Sequence, residues 1–227
     1  VSPFMVFTDE MLTWPPDPDA WSLRWYKNMI GNCSADVVSS TVPCSNKWMI
    51  GTVNSFFIGF VATFIATTLG TLAALGLSRP HMPYKGLIMA ILISPMIVPL
   101  IITAAGMFFF YARINLVYSF TGIILAHVAL ATPFVVITVT ATLVGFDMNM
   151  VKASQSLGAR PVRTFFKVIM PLILPGVISG ALFAFITSFD EVVIVMFMAS
   201  LDQLTIPKQM WAGIRQEISP VILCMAT

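Results

Sequence analysis

Four stretches of this chain carry no charged side chain: the residues between Lys47 and Arg79, between Lys85 and Arg113, between Arg113 and Asp147, and between Lys167 and Asp190. Each exceeds the roughly 20 apolar residues that take a helix across about 30 Å of hydrocarbon. A water-soluble domain carries about 25% charged residues, because water must wet its surface. Here 10% of the 227 residues are charged and 58% are hydrophobic. Lipid is the solvent this composition suits. A barrel would instead alternate apolar and polar positions in segments of about 10 residues, so the sequence predicts an all-α, polytopic bundle of membrane helices.

The runs place spans at 51–78, 86–110, 118–145 and 171–200, with the start of a last span at 220–227 and an apolar stub at Val1–Phe7. This predicts about six spans in the parent protein, four of them complete here, within one transmembrane domain covering 1–227. Charge fixes the orientation. The loop Arg79–Lys85 is basic, and segment 147–168 carries Lys152, Arg160, Arg163 and Lys167 against Asp147 alone. Short loops rich in Lys and Arg stay in the cytoplasm. The segment 8–48 is richer in acidic than in basic residues and forms an outer loop, with 111–117 and 201–219 on the same side.

Within the spans, Ala62, Ala66, Gly70 and Ala74 recur every four residues, as do Gly176, Gly180 and Ala184. Such stripes let a neighbouring helix approach closely. Pro95 and Pro99 predict a kink in the second span. His127 in the third is open to two readings, a proton relay or metal ligand on one side and a bundle hydrogen bond on the other. In the outer loop, Trp21, Trp25 and Tyr26 suit the membrane interface. Cys33 and Cys44 are either bridged or two free thiols.

The segment 147–171 carries the most information. Asp147 can accept from free N–H groups at a helix start, and Met150, Ala153 and Leu157 then share a face. Gly158 suits the left-handed position after a helix end, and Pro161 the first turn of the next helix. The result is a short helix tied to two spans, with a face a partner can grip.

The run Lys152-Ala153-Ser154-Gln155-Ser156-Leu157-Gly158, followed nine residues after the glycine by Val168-Ile169-Met170-Pro171, resembles the EAA motif of bacterial binding-protein-dependent ABC importer permeases. That motif reads Glu-Ala-Ala, three residues, Gly, nine residues, then Ile-x-Leu-Pro. Lys152 replaces the Glu and reverses its charge. Trp21-Ser22-Leu23-Arg24-Trp25-Tyr26, Ser188-Phe189-Asp190-Glu191 and Leu204-Thr205-Ile206-Pro207 before Trp211 resemble the spermidine/putrescine permease subgroup.

The resemblance implies a type I importer permease (MetI-like) fold in the bacterial inner membrane, importing a polyamine or a related cationic or opine-like solute. It implies a non-catalytic subunit that binds no cofactor, ATP and Mg being used by a partner ATPase. It implies docking of that ATPase through Lys152, Ala153, Ser154, Leu157, Gly158 and Pro171. A second permease subunit and an extracytoplasmic solute-binding protein complete the expected assembly, with no nucleic acid.

Asp190 and Glu191, beside Phe189, have a physical reading of their own. Read as one helix from Pro171, span 171–200 puts them in its outer part with apolar residues beyond. An ionised Asp at the centre of a span costs about 2.5–3.5 kcal/mol and is tolerated facing a cavity or a partner. Carboxylates there would offset the desolvation of an ammonium solute, and the alternative is that both snorkel to the outer interface. No G-x-x-x-x-G-K-[ST], H-E-x-x-H or G-x-S-x-G run occurs, which argues against ATP binding by a P-loop and against a membrane hydrolase. An ion-gradient-driven secondary transporter is the rival reading, for which inverted repeats and paired midplane charges would be expected.

Overall fold

The computed structural model of the chain describes residues 46–79, 82–145 and 147–216, together with residues 26, 27, 30, 222, 224 and 225. Expectations for the Cys33–Cys44 pair, for Trp21 and Trp25, and for most of segments 8–48 and 220–227 lie outside the described residues.

Among the described residues the order is α1 (Lys47–Leu77), α2 (Lys85–Ile97), α3 (Leu100–Arg113), α4 (Phe120–Val144), α5 (Met148–Ser156) and α6 (Pro161–Thr164). A π-helical turn (Phe165–Ile169) leads on into α7 (Met170–Phe189), followed by α8 (Val193–Met198) and α9 (Ile206–Gln216). No strand occurs among them. α1, α4 and the continuous helix Pro161–Phe189 are each long and apolar enough to cross a membrane. α2 and α3 reach that length only as a pair, and their axes bend by 103° at the break.

That break is sharper than the kink expected over 86–110. Val98 precedes a proline and is extended (φ −73°, ψ 136°), the backbone region to which a following proline ring confines a residue. Helix α2 therefore stops, and α3 restarts after Pro99. Pro95, by contrast, stays inside α2. A proline at that position cannot donate to the carbonyl of Ile91, and the Ser94 hydroxyl donates to it instead at 2.8 Å.

Contacts divide the chain into two units, Phe57–Met198 and Val1–Phe56 with Ala199–Thr227. In the larger unit α4 is the central helix, with twelve of its residues buried. The predicted small-residue stripes explain how its neighbours reach it. Gly176, Gly180 and Ala184 of α7 are buried, and a Cβ added at Gly180 would lie 2.5 Å from Thr138 Oγ1 and 3.0 Å from Val135 Cα. On α1, Ala62, Ala66 and Ala74 are wholly buried, and a Cβ on Gly70 would come within 2.7 Å of Val135 Cβ. The α7 stripe and Gly70 of α1 close on α4 at van der Waals distance, the packing that holds membrane helices together where no water-driven force acts between them. Ser119 caps α4 by accepting from Gly122 N at 3.1 Å.

In the smaller unit, the first turns of α1 hold the segment that leads into α9. Asn54 Nδ2 donates to the carbonyls of Asp202 and Leu204, each at 3.0 Å. Ser55 Oγ accepts from Ile206 N at 2.8 Å, and Ser200 and Gln203 form a reciprocal capping box around the turn Leu201–Gln203.

Candidate functional site

The segment between α4 and α6 is built by side chains its sequence made legible. Asp147 Oδ1 accepts from Asn149 N at 2.9 Å and starts α5. At the other end Gly158 sits at φ +80°, Gly158 N donates to Gln155 O at 2.9 Å and Ala159 N to Ser154 O at 3.1 Å. That pair of bonds is the Schellman ending, in which a glycine takes the left-handed conformation at least cost. Arg160 is extended before Pro161, which opens the next helix at its first turn. Ser154 Oγ and Thr164 Oγ1 share a hydrogen bond of 2.7 Å across the corner. α5 is therefore fixed at both ends and along one side.

Its other side is bare. Val151 and Ser154 are half-buried, whereas Lys152, Ala153, Gln155 and Ser156 are exposed. Met150 is 49% and Leu157 88% exposed. Gly158 and Pro171 are exposed too, Pro171 lying on α7 beyond the π turn. The candidate residues therefore do not form one patch. Lys152, Ala153, Leu157 and Gly158 lie on or beside α5's exposed side, Ser154 holds the corner, and Pro171 acts on the helix below.

The π turn is a feature the sequence reading missed, and Pro171 explains it. In a regular α-helix its ring would strike the carbonyl of Lys167, four residues earlier. Widening the turn gives that carbonyl room, and Met170 N donates to Phe165 O, the five-residue spacing of a π-helix. A groove of about 230 Å³ lies between α5 and this turn, lined among others by Ser154, Leu157, Gly158, Arg163, Lys167 and Val168.

The second candidate cluster departs from expectation. The helix from Pro161 does not run on to residue 200 but ends at Phe189, and α8 starts afresh at Val193. Glu191 shows why. It is 7% exposed, and its Oε1 accepts from Ile194 N at 2.9 Å. The carboxylate thus binds an N–H group that a helix start leaves free, and holds the start of α8. Asp190 remains exposed. It opens onto a cavity of about 340 Å³ lined by Leu100, Ile186, Thr187, Val192 and Val193 as well as the two carboxylates. The aromatic ring of Phe189 is turned to another side, stacked on Phe185 at 5.5 Å, and Phe185 in turn meets Phe60 at 5.1 Å.

His127 has a structural partner. It is 2% exposed, and its Nδ1 shares a 2.8 Å hydrogen bond with Ser188 Oγ. That pair ties the end of α7 to α4, two residues before Asp190. Among the described residues no group of three His, Cys, Asp or Glu side chains is arranged to hold a metal ion.

The class the fold and site define is a multi-span membrane protein with a capped helix mounted between two of its long helices. The sequence model of the family described as "Binding-protein-dependent transport system inner membrane component" matches residues 66–227. The chain belongs to that family, and its fold is the type I importer permease (MetI-like) fold. It is 28% identical over 207 residues to the spermidine/putrescine transport system permease protein PotC of Haemophilus influenzae, a match covering 91% of this chain and 76% of that protein. It is 31% identical over 168 residues to the PotC of Escherichia coli K12, covering 74% of this chain and 63% of the relative. The putrescine transport system permease protein PotI of the same organism is 28% identical over 215 residues, covering 91% and 72%.

Proposed function

We infer that this chain is the permease subunit of an ATP-driven importer of polyamines or related small cationic solutes, working in the bacterial inner membrane. The observation that carries the reading is α5. It is a short helix capped at both ends, pinned by Ser154 to Thr164 and joined through short connections to α4 and to the helix of α7. Pushed from outside, such a part moves as a body and takes two long helices with it. In this reading segment 147–168 lies in the cytoplasm and an ATPase grips Lys152, Ala153 and Leu157. Ser154 and Gly158 keep the handle rigid, and Pro171 sets the π turn through which it joins α7. The chain itself performs no catalysis, since ATP and Mg are handled by that partner. A second permease subunit completes the pathway, and an extracytoplasmic binding protein delivers solute. The polyamine assignment follows the printed functions of the relatives and the exposed carboxylate of Asp190 at its cavity, where an ammonium group would find a counter-charge. Phe189 and Glu191 hold the surrounding turn. Reconstitution of the permease pair with its ATPase and binding protein in proteoliposomes tests this. ATP-dependent accumulation of labelled spermidine or putrescine is expected, and accumulation without ATP, or of neither amine, would refute it.

A further inference from the structure

We propose that the protein surface receiving α5 is acidic, with one carboxylate side chain entering the groove above Arg163 and Lys167 and another meeting Lys152. This rests on the coupling role assigned above and names the chemistry of the partner.

The charge around α5 has one sign. Lys152, Arg160, Arg163 and Lys167 are all exposed, and no ion pair is formed by any of them among the described residues. The only acidic side chain in the segment is Asp147, and its carboxylate is occupied at the start of α5. Arg163 and Lys167 stand about one helical turn apart, an arrangement in which like charges repel. Both line the groove of about 230 Å³, whose remaining walls include the small or apolar Gly158, Leu157 and Val168. A carboxylate seated there would meet two cations and bury an apolar stem. Val151 and Ser154 face the corner, so Lys152 projects from a different side of α5 than the groove. A cleft that wraps the helix meets cations on both flanks.

Anionic lipid headgroups also attract basic segments near a membrane. The exposed apolar edge of α5 argues for protein. It consists of Met150, Ala153 and Leu157, with a small residue at its centre and no aromatic ring. A helix lying in a headgroup layer shows a run of Trp, Phe and Leu along that edge, whereas here a single Leu stands at one end and Ala153 at the centre. A small centre admits a close-fitting partner instead.

The test uses the assembled permease–ATPase complex, purified in detergent and, separately, in nanodiscs of neutral or of anionic phospholipid. The readout is the ATPase retained per permease at salt of about 0.1 M and about 0.5 M, where charge screening differs strongly. Lys152→Glu, and separately the pair Arg163→Glu with Lys167→Glu, should each lower retention at low salt by about tenfold or more. Lys152→Gln should lower it less, and high salt should release the wild-type ATPase in detergent as well. Undiminished retention in both charge-reversed variants overturns the acidic-partner inference while leaving the coupling role standing. A loss confined to anionic nanodiscs overturns it in favour of lipid. If the wild-type permease retains no ATPase under any condition, the coupling role falls, and this inference with it.

Discussion

At the scale of single residues, adjacent carboxylates have been given different work. Glu191 is buried and bonded to the backbone of Ile194, whereas Asp190 is exposed at its cavity. Losing a buried charge-assisted hydrogen bond costs about 1.5–3 kcal/mol, so Glu191→Leu should lower the amount of folded protein recovered from membranes. Asp190→Asn should leave that amount unchanged and lower the initial rate of amine uptake, by about tenfold if one ion contact of 1.4 kcal/mol is lost. Quantitative immunoblotting beside labelled-amine uptake separates the two, and equal defects in both variants would contradict the division. Gly158 allows a second residue-level prediction. Nothing lies within 4 Å of where its Cβ would be, but its φ is +80°. Space is therefore not the constraint; backbone conformation is. Left-handed backbone costs a β-branched residue about 1–2 kcal/mol, and Gly158→Val should loosen the corner and sever solute-stimulated ATP hydrolysis from uptake. Asn tolerates that conformation better, and Gly158→Asn should keep most of the coupling. Equal activity in the Val variant would show that the corner need not be rigid.

At the scale of elements, the sequence disclosed what depends on local pattern and hid what depends on neighbours. Charge-free runs, small-residue stripes and the Asp147, Gly158 and Pro161 boundaries are local, and α1, α4, α5 and the start of the helix at Pro161 follow from them. From sequence the 103° break after Ile97 is legible only as a kink, because either outcome satisfies a proline and only packing chooses. In the structure α2 packs on α4 while α3 packs on α8, so the two halves serve different neighbours. The stop at Phe189 was hidden for a related reason. Residues 192–199 are apolar enough to continue a span, and only the folded chain shows Glu191 binding the N–H of Ile194. The π turn was equally invisible, since a proline within a helix does not announce how its clash is relieved. The α4–α7 interface yields a prediction at this scale. Gly180→Leu places a side chain where even a Cβ would stand 3.0 Å from the Val135 backbone. Overpacking of this kind typically costs about 1–3 kcal/mol, and the detergent-solubilised variant should unfold at a lower temperature than Gly76→Leu, where no atom lies within 4 Å of the added Cβ.

At the scale of the whole molecule, coupling to an ATPase depends on which end of the bundle faces the cytosol. The basic residues of 147–168 favour that end for the segment, and each span must reverse the side, so one span more or fewer would invert the remainder. The broken pair α2–α3 decides that count, because a pair bent by 103° either crosses the bilayer or turns back within it. If it turns back, the segment Ile114–Ser119 returns to the side of Arg79 and Lys85, and 147–168 then emerges opposite to them. The question reduces to whether two exposed positions lie on opposite faces. With Cys33, Cys44 and Cys224 replaced by Ser, single cysteines at Leu157 (88% exposed) and Leu201 (84% exposed) can be offered an impermeant thiol reagent outside intact cells. A crossing pair predicts labelling at position 201 alone, with position 157 reacting only after the membrane is opened. Labelling at 157 in sealed cells would put the handle in the wrong compartment, where no ATPase could grip it. The coupling role and the acidic partner would then both have to be abandoned, whatever the family likeness.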